Sequence, residues 1–214
     1  MNVECLVDGL SRMGVLAEEA LALTVSAVLG RSNEAAVRII SSDDEIDRLE
    51  NEVETAVREF LVSERPSQLV LRRAVTVIHA APVIERIADH ATNIAKHALV
   101  LNAEPQPFYH ERLNELMSAT LDMVRESIAA LIAADIKRAR QTLRKDDLVD
   151  EIYKLIYKDL VSYMERHPQD IRKGTELLFI IKHLERIADY ATNLCEMVVF
   201  MVEGRIIRHT KEAN

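Results

Sequence analysis

The residues of this chain best suited to chemistry are carboxylates, and they come in pairs. Glu85 and Asp89 stand four apart, as do Asp43 and Asp47, Asp146 and Asp150, and Glu185 and Asp189. On a helix such pairs are surface neighbours, with Cβ atoms about 5–6 Å apart. At about 100° per residue, Glu85, Asp89, Thr92 and Asn93 fall in one narrow arc, while Ile87, Ala91, Ile94 and Ala98 fall roughly opposite. Like charges four apart cost an isolated helix about 0.2–0.5 kcal/mol per pair, so carrying them at four places points to a compensating cation. If the two helices of a set pack side by side, Asp43, Asp47, Glu85 and Asp89, with the amide oxygen of Asn93, form one oxygen-only donor set. Asp146, Asp150, Glu185 and Asp189 with Asn193 form its counterpart. Hard ligands of this kind suit Mg²⁺, Mn²⁺, Ca²⁺ or oxidised iron. The plainer alternative is a solvated acidic face partnered by Arg86 and Arg186.

The pairs sit inside a longer internal match. Glu85-Arg86-Ile87-Ala88-Asp89-His90-Ala91-Thr92-Asn93-Ile94 recurs 100 residues later as Glu185-Arg186-Ile187-Ala188-Asp189-Tyr190-Ala191-Thr192-Asn193-Leu194, with eight of ten positions identical. Asp43-Asp44-Glu45-Ile46-Asp47 pairs with Asp146-Asp147-Leu148-Val149-Asp150 at an offset of 103. Two motifs in the same order indicate duplication of one supersecondary unit.

The elements that must position these acids are helices. Leu6, Leu10, Met13, Leu16, Ala17, Ala20, Leu21, Leu23 and Thr24 form one broad stripe. Gly30 marks a stop, and Ser32 or Asn33 offers an N-cap for a second helix that carries Ala36, Ile39, Ile40, Ile46, Leu49, Val53, Val57 and Leu61 and ends before Pro66. A third runs from near Ser67 to about Leu101 with Pro82 inside it, where a bend is expected. Residues Asn102 to Pro107 read as a linker stiffened by Pro105 and Pro107. Further helical patterns span about Phe108 to Ala133, Asp135 to Glu165 and Pro168 to Glu203. The prediction is an all-α fold of two tandem pseudo-symmetric three-helix bundles, built from six long antiparallel helices, with repeats at 1–103 and 104–214.

Composition narrows the function classes. The chain has 214 residues, 49% hydrophobic, 4% aromatic, with five Gly and no Trp, which excludes disorder and disfavours a β-sandwich. A formal charge of −8 argues against non-specific nucleic-acid binding, which needs neutralised phosphates. Glu4 and Asp8 stand where a signal peptide would carry positive charge, and the most apolar stretches, Leu16–Leu29 and Leu194–Val202, are too short and too interrupted by acids to span a bilayer. Two cysteines, Cys5 and Cys195, make no disulfide framework, and Cys195 reads as core. The seven histidines (79, 90, 97, 110, 167, 183 and 209) share no spacing between the halves, and His90 becomes Tyr190 at the matched position. None has Glu three residues before it, so the Glu-x-x-His signature of a di-metal oxidase or storage bundle is missing. There is no Gly-rich phosphate loop, no Gly-x-Ser-x-Gly, no Cys-x-x-Cys and no evident nucleophile with a base.

Duplicated Glu-Arg-Ile-Ala-Asp blocks, each preceded by Asp-x-x-x-Asp on the previous helix, resemble the PhoU family of phosphate-uptake regulators. The ending Val202-Glu203-Gly204-Arg205-Ile206-Ile207-Arg208-His209 is similar to that family's C-terminal segment, and Ala88 and Ala188 stand where members usually carry Gly. The resemblance implies two three-helix bundles with multinuclear surface metal sites in some members. Carried over by position, the ligands fall on Asp43, Asp47, Glu85 and Asp89 and on Asp146, Asp150, Glu185 and Asp189, with Asn93 and Asn193 as supplements. The ions implied are divalent or trivalent: Fe, Mn, Mg, Zn or Ca. It further implies a non-enzymatic cytoplasmic adaptor, often dimeric, that links the ATP-binding subunit of a phosphate ABC transporter to a sensor histidine kinase. Such an adaptor damps uptake and the starvation response when phosphate is plentiful. A PhoU-like accessory of another transporter or kinase would share every one of these features.

Overall fold

A computed structural model describes residues 3–104 and 111–207. Pro105–Pro107 of the expected linker, His110, and Arg208 and His209 of the C-terminal segment lie outside the described residues, as does the side chain of Cys5. Among the described residues eight α-helices carry the fold: α1 (Val3–Val28), α2 (Asn33–Ser41), α3 (Asp43–Ser63), α4 (Gln68–Asn102), α5 (Leu113–Ala133), α6 (Ile136–Leu143), α7 (Asp146–Arg166) and α8 (Ile171–Glu203). A short 3₁₀ turn at Pro168–Asp170 precedes α8, and no strand forms among the described residues.

These are the six expected rods, two of them jointed. The second rod breaks at Ser42, where the Ser42 N–H and hydroxyl both donate to the Ile39 carbonyl, at 3.2 and 2.8 Å. The fifth breaks at Arg144–Lys145, where Lys145 N–H reaches back only three residues, to the Thr142 carbonyl at 2.9 Å. Each joint restarts a helix on the acidic motif, so Asp43 and Asp44 open α3 and Asp146 and Asp147 open α7. Part of the acidity thus has a local reason that periodicity does not reveal. A carboxylate in the first turn is favoured by the unpaired N–H groups and dipole there, by about 0.3–1 kcal/mol.

The caps agree with the sequence. Ser32 accepts from Ala35 N–H at 3.2 Å and Ser67 from Val70 N–H at 3.5 Å. Asp135 accepts from Arg138 N–H at 3.0 Å. Helix α4 runs through Pro82 as one 35-residue helix. The stripes also hold: Leu6, Leu10, Met13, Ala17, Leu21 and Thr24 of α1 are buried, as are Ile46, Leu49, Val53 and Val57 of α3.

One continuous core runs through both halves. Helices α4 and α8 form its spine and make the most extensive helix–helix contact, with α1 packed on α4 and α5 on α8. They run antiparallel: His97, late in α4, meets Glu176, early in α8, while Arg72 near the start of α4 lies against Gly204 just beyond α8. Gly204 adopts φ 71°, a left-handed conformation that favours glycine, with the Arg72 guanidinium lying over it. Helices α1 and α5 also meet across the halves, where Gly14 leaves room for Ile128.

The turn after the first rod of each half repeats an unusual conformation. Arg31 (φ 51°) and Ala134 (φ 52°) are both left-handed. Arg31 is held there by its guanidinium, which donates to the Asn102 carbonyl at 2.8 Å and to that of Glu104. Ala134 has no such tether. Ala134→Gly should therefore stabilise the chain by about 0.5–1 kcal/mol, raising the thermal midpoint by about 1–3 °C, whereas an unchanged or lower midpoint would show that its methyl contact outweighs the strain.

Candidate functional site on the acidic face

The matched motifs fold alike. Residues 80–91 and 180–191 follow the same order of buried, half-buried and exposed positions. Ile84, Ile87, Ala91 and Ile94 face the core, as do Leu184, Ile187, Ala191 and Leu194, and all are fully buried. That side of each motif is a packing surface.

The acidic side lies along the seam between consecutive rods. Thr92, buried rather than outward as its arc suggests, donates its hydroxyl to Asp43 Oδ1 at 3.2 Å; Thr192 does the same to Asp146 Oδ1 at 3.3 Å. These twin hydrogen bonds tie α4 to the start of α3 and α8 to the start of α7, and they bring the predicted pairs together. Asp47 feels the charge of Asp43, Asp44 and Asp89, and Glu85 feels that of Glu50, Asp89 and Asp47. In the second half Asp146, Asp147, Asp150 and Glu185 interact, and Asp189 joins through Glu185 and Asp146. Asn93 and Asn193 sit half-buried one turn on, their side-chain amides making no hydrogen bond among the described residues. Glu50, absent from the sequence reading, joins the first set because α3 carries it one turn beyond Asp47 toward Glu85.

The carboxylates share a face without closing on one point. Among the described residues, no three His, Cys, Asp or Glu side chains converge as a ready-made metal cage. Like charges with free rotamers spread apart. As a donor set the motif residues fit a hard cation: all supply oxygen, and none is a thiolate or imidazole. Burial raises Glu85 to about 7, with Glu50, Asp89 and Asp47 pushing the same way against Arg86. Burial, then Glu185 and Asp146, raises Asp189 to about 6 against Arg186 and Lys182. A group so shifted favours any positive charge brought beside it.

The halves differ in what surrounds these acids. In the second, Lys154 Nζ lies 2.9 Å from Asp150, Lys182 Nζ 2.8 Å from Glu185, and Arg186 3.6 Å from Asp189. Lys182 also stands over the Tyr153 ring, 5.3 Å from its centroid. In the first half no ion pair reaches Asp43, Asp47, Glu85 or Asp89 among the described residues. The positions matching Lys154, Lys182 and Tyr153 hold Asn51, Pro82 and Glu50.

A second polar group lies where α4 crosses α8. His90 Nδ1 and His183 Nδ1 are 2.7 Å apart, and His97 Nδ1 is 2.6 Å from Glu176 Oε2. His97 stacks on Phe179 and His90 on Tyr190, its own matched position. Spacing within each half could not reveal this cluster, because its members come from opposite halves in antiparallel register. Burial lowers His183 to about 4, reinforced by His90 and His97 and opposed by Asp89, and burial also lowers His90. Cys195 is buried, its thiol pushed up to about 12 by desolvation, which keeps it protonated in the core.

These shifts give opposite pH slopes. A histidine lowered from 6.5 to about 4 holds its proton less well folded than unfolded, so its contribution rises with pH across that window. A glutamate raised from 4.5 to about 7 holds its proton better folded, so its contribution falls as pH rises across that window. In chelator, His183→Gln should leave the thermal midpoint falling from pH 4.5 to 7 more steeply than wild type. Glu85→Gln with Asp189→Asn should make it rise from pH 4 to 6.5. Melts by circular dichroism decide this, and curves parallel to wild type in both variants would contradict it.

The PhoU domain family matches twice, at residues 10–98 and 113–198. The phosphate-specific transport system accessory protein PhoU homolog of Caulobacter vibrioides is 32% identical over 195 residues, covering 91% of this chain and 85% of that protein. The protein of the same description from Clostridium acetobutylicum is 30% identical over 205 residues, covering 95% and 94%. The crystal structure of the phosphate transport system regulatory protein PhoU from Streptococcus pneumoniae superposes with a TM-score of 0.89 at 27% identity, covering 95% of this chain and 96% of that one.

Proposed function

The chain belongs to the PhoU family, and on that footing we propose that it is a non-enzymatic cytoplasmic regulator of phosphate uptake and phosphate-starvation signalling. It acts as an adaptor between the ATP-binding subunit of a phosphate ABC transporter and a sensor histidine kinase, holding both in check when phosphate is plentiful. It works as a homodimer, reaches the membrane only through these partners and binds no nucleic acid. No helix among the described residues is long and apolar enough to cross a membrane, which suits a peripheral role. Relatives named as accessory or regulatory proteins of phosphate transport support the reading.

The observation that carries it is the acidic face itself: two seams of carboxylates, each locked to the next rod by a threonine, and one of them without ion pairs among the described residues. Such a face suits a basic patch on a partner, where charge complementarity mainly sets specificity and on-rate. In the first half Asp43, Asp47, Glu85 and Asp89, with Asn93, would hold a hard cation. In the second, the corresponding set is Asp146, Asp150, Glu185, Asp189 and Asn193. When bound, the ion supplies positive charge that lets an otherwise repulsive surface order and meet anionic groups as well as basic ones. Asp43 orients the start of α3 through Thr92, while Glu85 and Asp89 present their oxygens from a helix whose other face is locked in the core.

Deletion of the gene tests the regulatory role. Expression from a phosphate-responsive promoter in high phosphate should rise to near its starved level and return on complementation. Undiminished repression in the deletion strain would overturn it. In pull-downs the chain should retain the transporter ATP-binding subunit and the kinase cytoplasmic region, more weakly as salt rises, and capture of neither would count equally against it.

A further inference from the structure

We infer that the corner where the start of α4 meets the end of α8 binds a phosphate-type oxyanion through Arg72, Arg73 and Thr76. The corner lies about 20 Å along α4 from Glu85, at about 1.5 Å per residue, so it is separate from the acidic face and does not depend on what that face binds.

Both arginines are half-buried, and neither makes an ion pair or a side-chain hydrogen bond among the described residues. The Nε–H of each is covered by protein and has no acceptor. Arg72 lies over Gly204 without donating to the last carbonyls of α8, and neighbouring Glu203 is taken by Arg140 at 3.0 Å. Thr76, only 2% exposed, has a hydroxyl that is likewise without a hydrogen-bond partner. At about 100° per residue Thr76 falls between the two arginines, about 40° round the helix from Arg72 and about 60° from Arg73. Its side chain leans toward the helix start, where they stand. Covered donors without acceptors carry their full desolvation cost, so three of them on one arc call for an acceptor that the described residues do not supply.

The second copy of this corner shows what answers such a pair. Helices α4 and α8 correspond at an offset of 100, so Arg72 and Arg73 match Arg172 and Lys173. There Lys173 meets Asp170 at 3.2 Å and Glu104 at 3.8 Å, and Glu176 meets His97 at 2.6 Å. In the first copy the positions of those three acids hold Val70, Gly204 and Thr76. The bases stay and all three acids are gone. Burial shifts in the same direction: Arg172 is exposed where Arg72 is half-buried, and Glu176 is half-buried where Thr76 is buried. The built-in carboxylates mark where negative charge settles on this scaffold. A guanidinium fork takes carboxylate or phosphate oxygens two at a time. Two forks and a hydroxyl ask for more oxygens than one carboxylate carries, whereas a tetrahedral dianion offers them and balances both positive charges.

The test is binding of inorganic phosphate to the full chain by calorimetry, at constant ionic strength and in chelator so that no metal mediates it, with folding followed by circular dichroism. Wild type should bind phosphate saturably. Arg72→Gln with Arg73→Gln should weaken binding by about 100-fold or more, while the thermal midpoint without phosphate stays level or rises, because two unanswered charges have gone. Thr76→Val should weaken it by about threefold to tenfold. Val70→Asp, which copies Asp170, should supply the missing acid and weaken it by about tenfold, and this variant carries the test where the double arginine variant fails to fold. Arg172→Gln with Lys173→Gln should leave phosphate binding within about twofold. A parallel titration with AMP names the source of the oxyanion: tighter binding of AMP assigns the site to a phosphoryl group carried on a larger molecule, and tighter binding of phosphate assigns it to the free ion. No saturable binding of either probe by wild type, or binding unmoved by the arginine and Val70 substitutions, would overturn the proposal.

Discussion

Replacing Asp47, Glu85 and Asp89 together by their amides, Asp47→Asn, Glu85→Gln and Asp89→Asn, should make the chain more stable in chelator and useless as a regulator. Asp43 is spared because it opens α3 and accepts the Thr92 hydroxyl, a structural role of its own. Asp89 pushes up the proton affinity of both Asp47 and Glu85, and Glu85, raised to about 7 mainly by burial, gains little from being charged where it sits. Amides keep the shape and remove the repulsion. The expected gain is about 1 kcal/mol, or about 2–4 °C in thermal midpoint for a chain of this size. The same variant should lose Mn²⁺-dependent stabilisation and no longer repress a phosphate-responsive promoter. Opposite effects on stability and function are the mark of side chains kept for what they meet rather than for the fold. A variant less stable than wild type in chelator would show instead that these acids hold the bundle together.

The converse holds on the other side of the same helices. Ile87→Ala and Ile187→Ala should each destabilise the chain by about 2–4 kcal/mol, because each removes a fully buried side chain from the continuous core and leaves a cavity that its neighbours fill only in part. The two costs should agree within about 1 kcal/mol, since the burial of the surrounding motif is the same in both copies. Urea denaturation measures this, with the midpoint shifting and the slope unchanged. A near-neutral effect at either site would mean that the duplicated motif is not duplicated in packing. Taken with the lysine differences, the expected pattern is a repeat whose buried face stayed symmetric while its surface diverged.

Much of this architecture was legible in the sequence because the helical period is strong and nearly uninterrupted. The stripe from Leu6 to Thr24, the cap at Ser32 and the start near Ser67 follow from local rules, and the structure places them accordingly. The joints at Ser42 and at Arg144–Lys145 are not legible from periodicity because no Gly or Pro marks them: the first is a tight turn made by backbone and hydroxyl hydrogen bonds to Ile39, the second by a backbone hydrogen bond to Thr142. With the joints went the helix-terminus reason for Asp43 and Asp146. Angle alone puts Thr92 in the outward arc, whereas packing of α3 against α4 buries it, and only its hydroxyl reaches the acids. Glu50 and the His90–His183 contact depend on which rods are neighbours and in which direction they run, information that a single helix does not carry. The lysines could have been found by extending the internal alignment beyond the identical block, since Lys154 and Lys182 fall on the same two offsets as the acids they meet.

The most direct test of the central claim, that this chain restrains phosphate uptake through its acidic face, is promoter activity in high phosphate in a deletion strain complemented at equal protein levels. Wild type should restore repression. The Asp47→Asn, Glu85→Gln, Asp89→Asn variant should leave the promoter as active as in the deletion strain. Full repression by that variant would contradict the account.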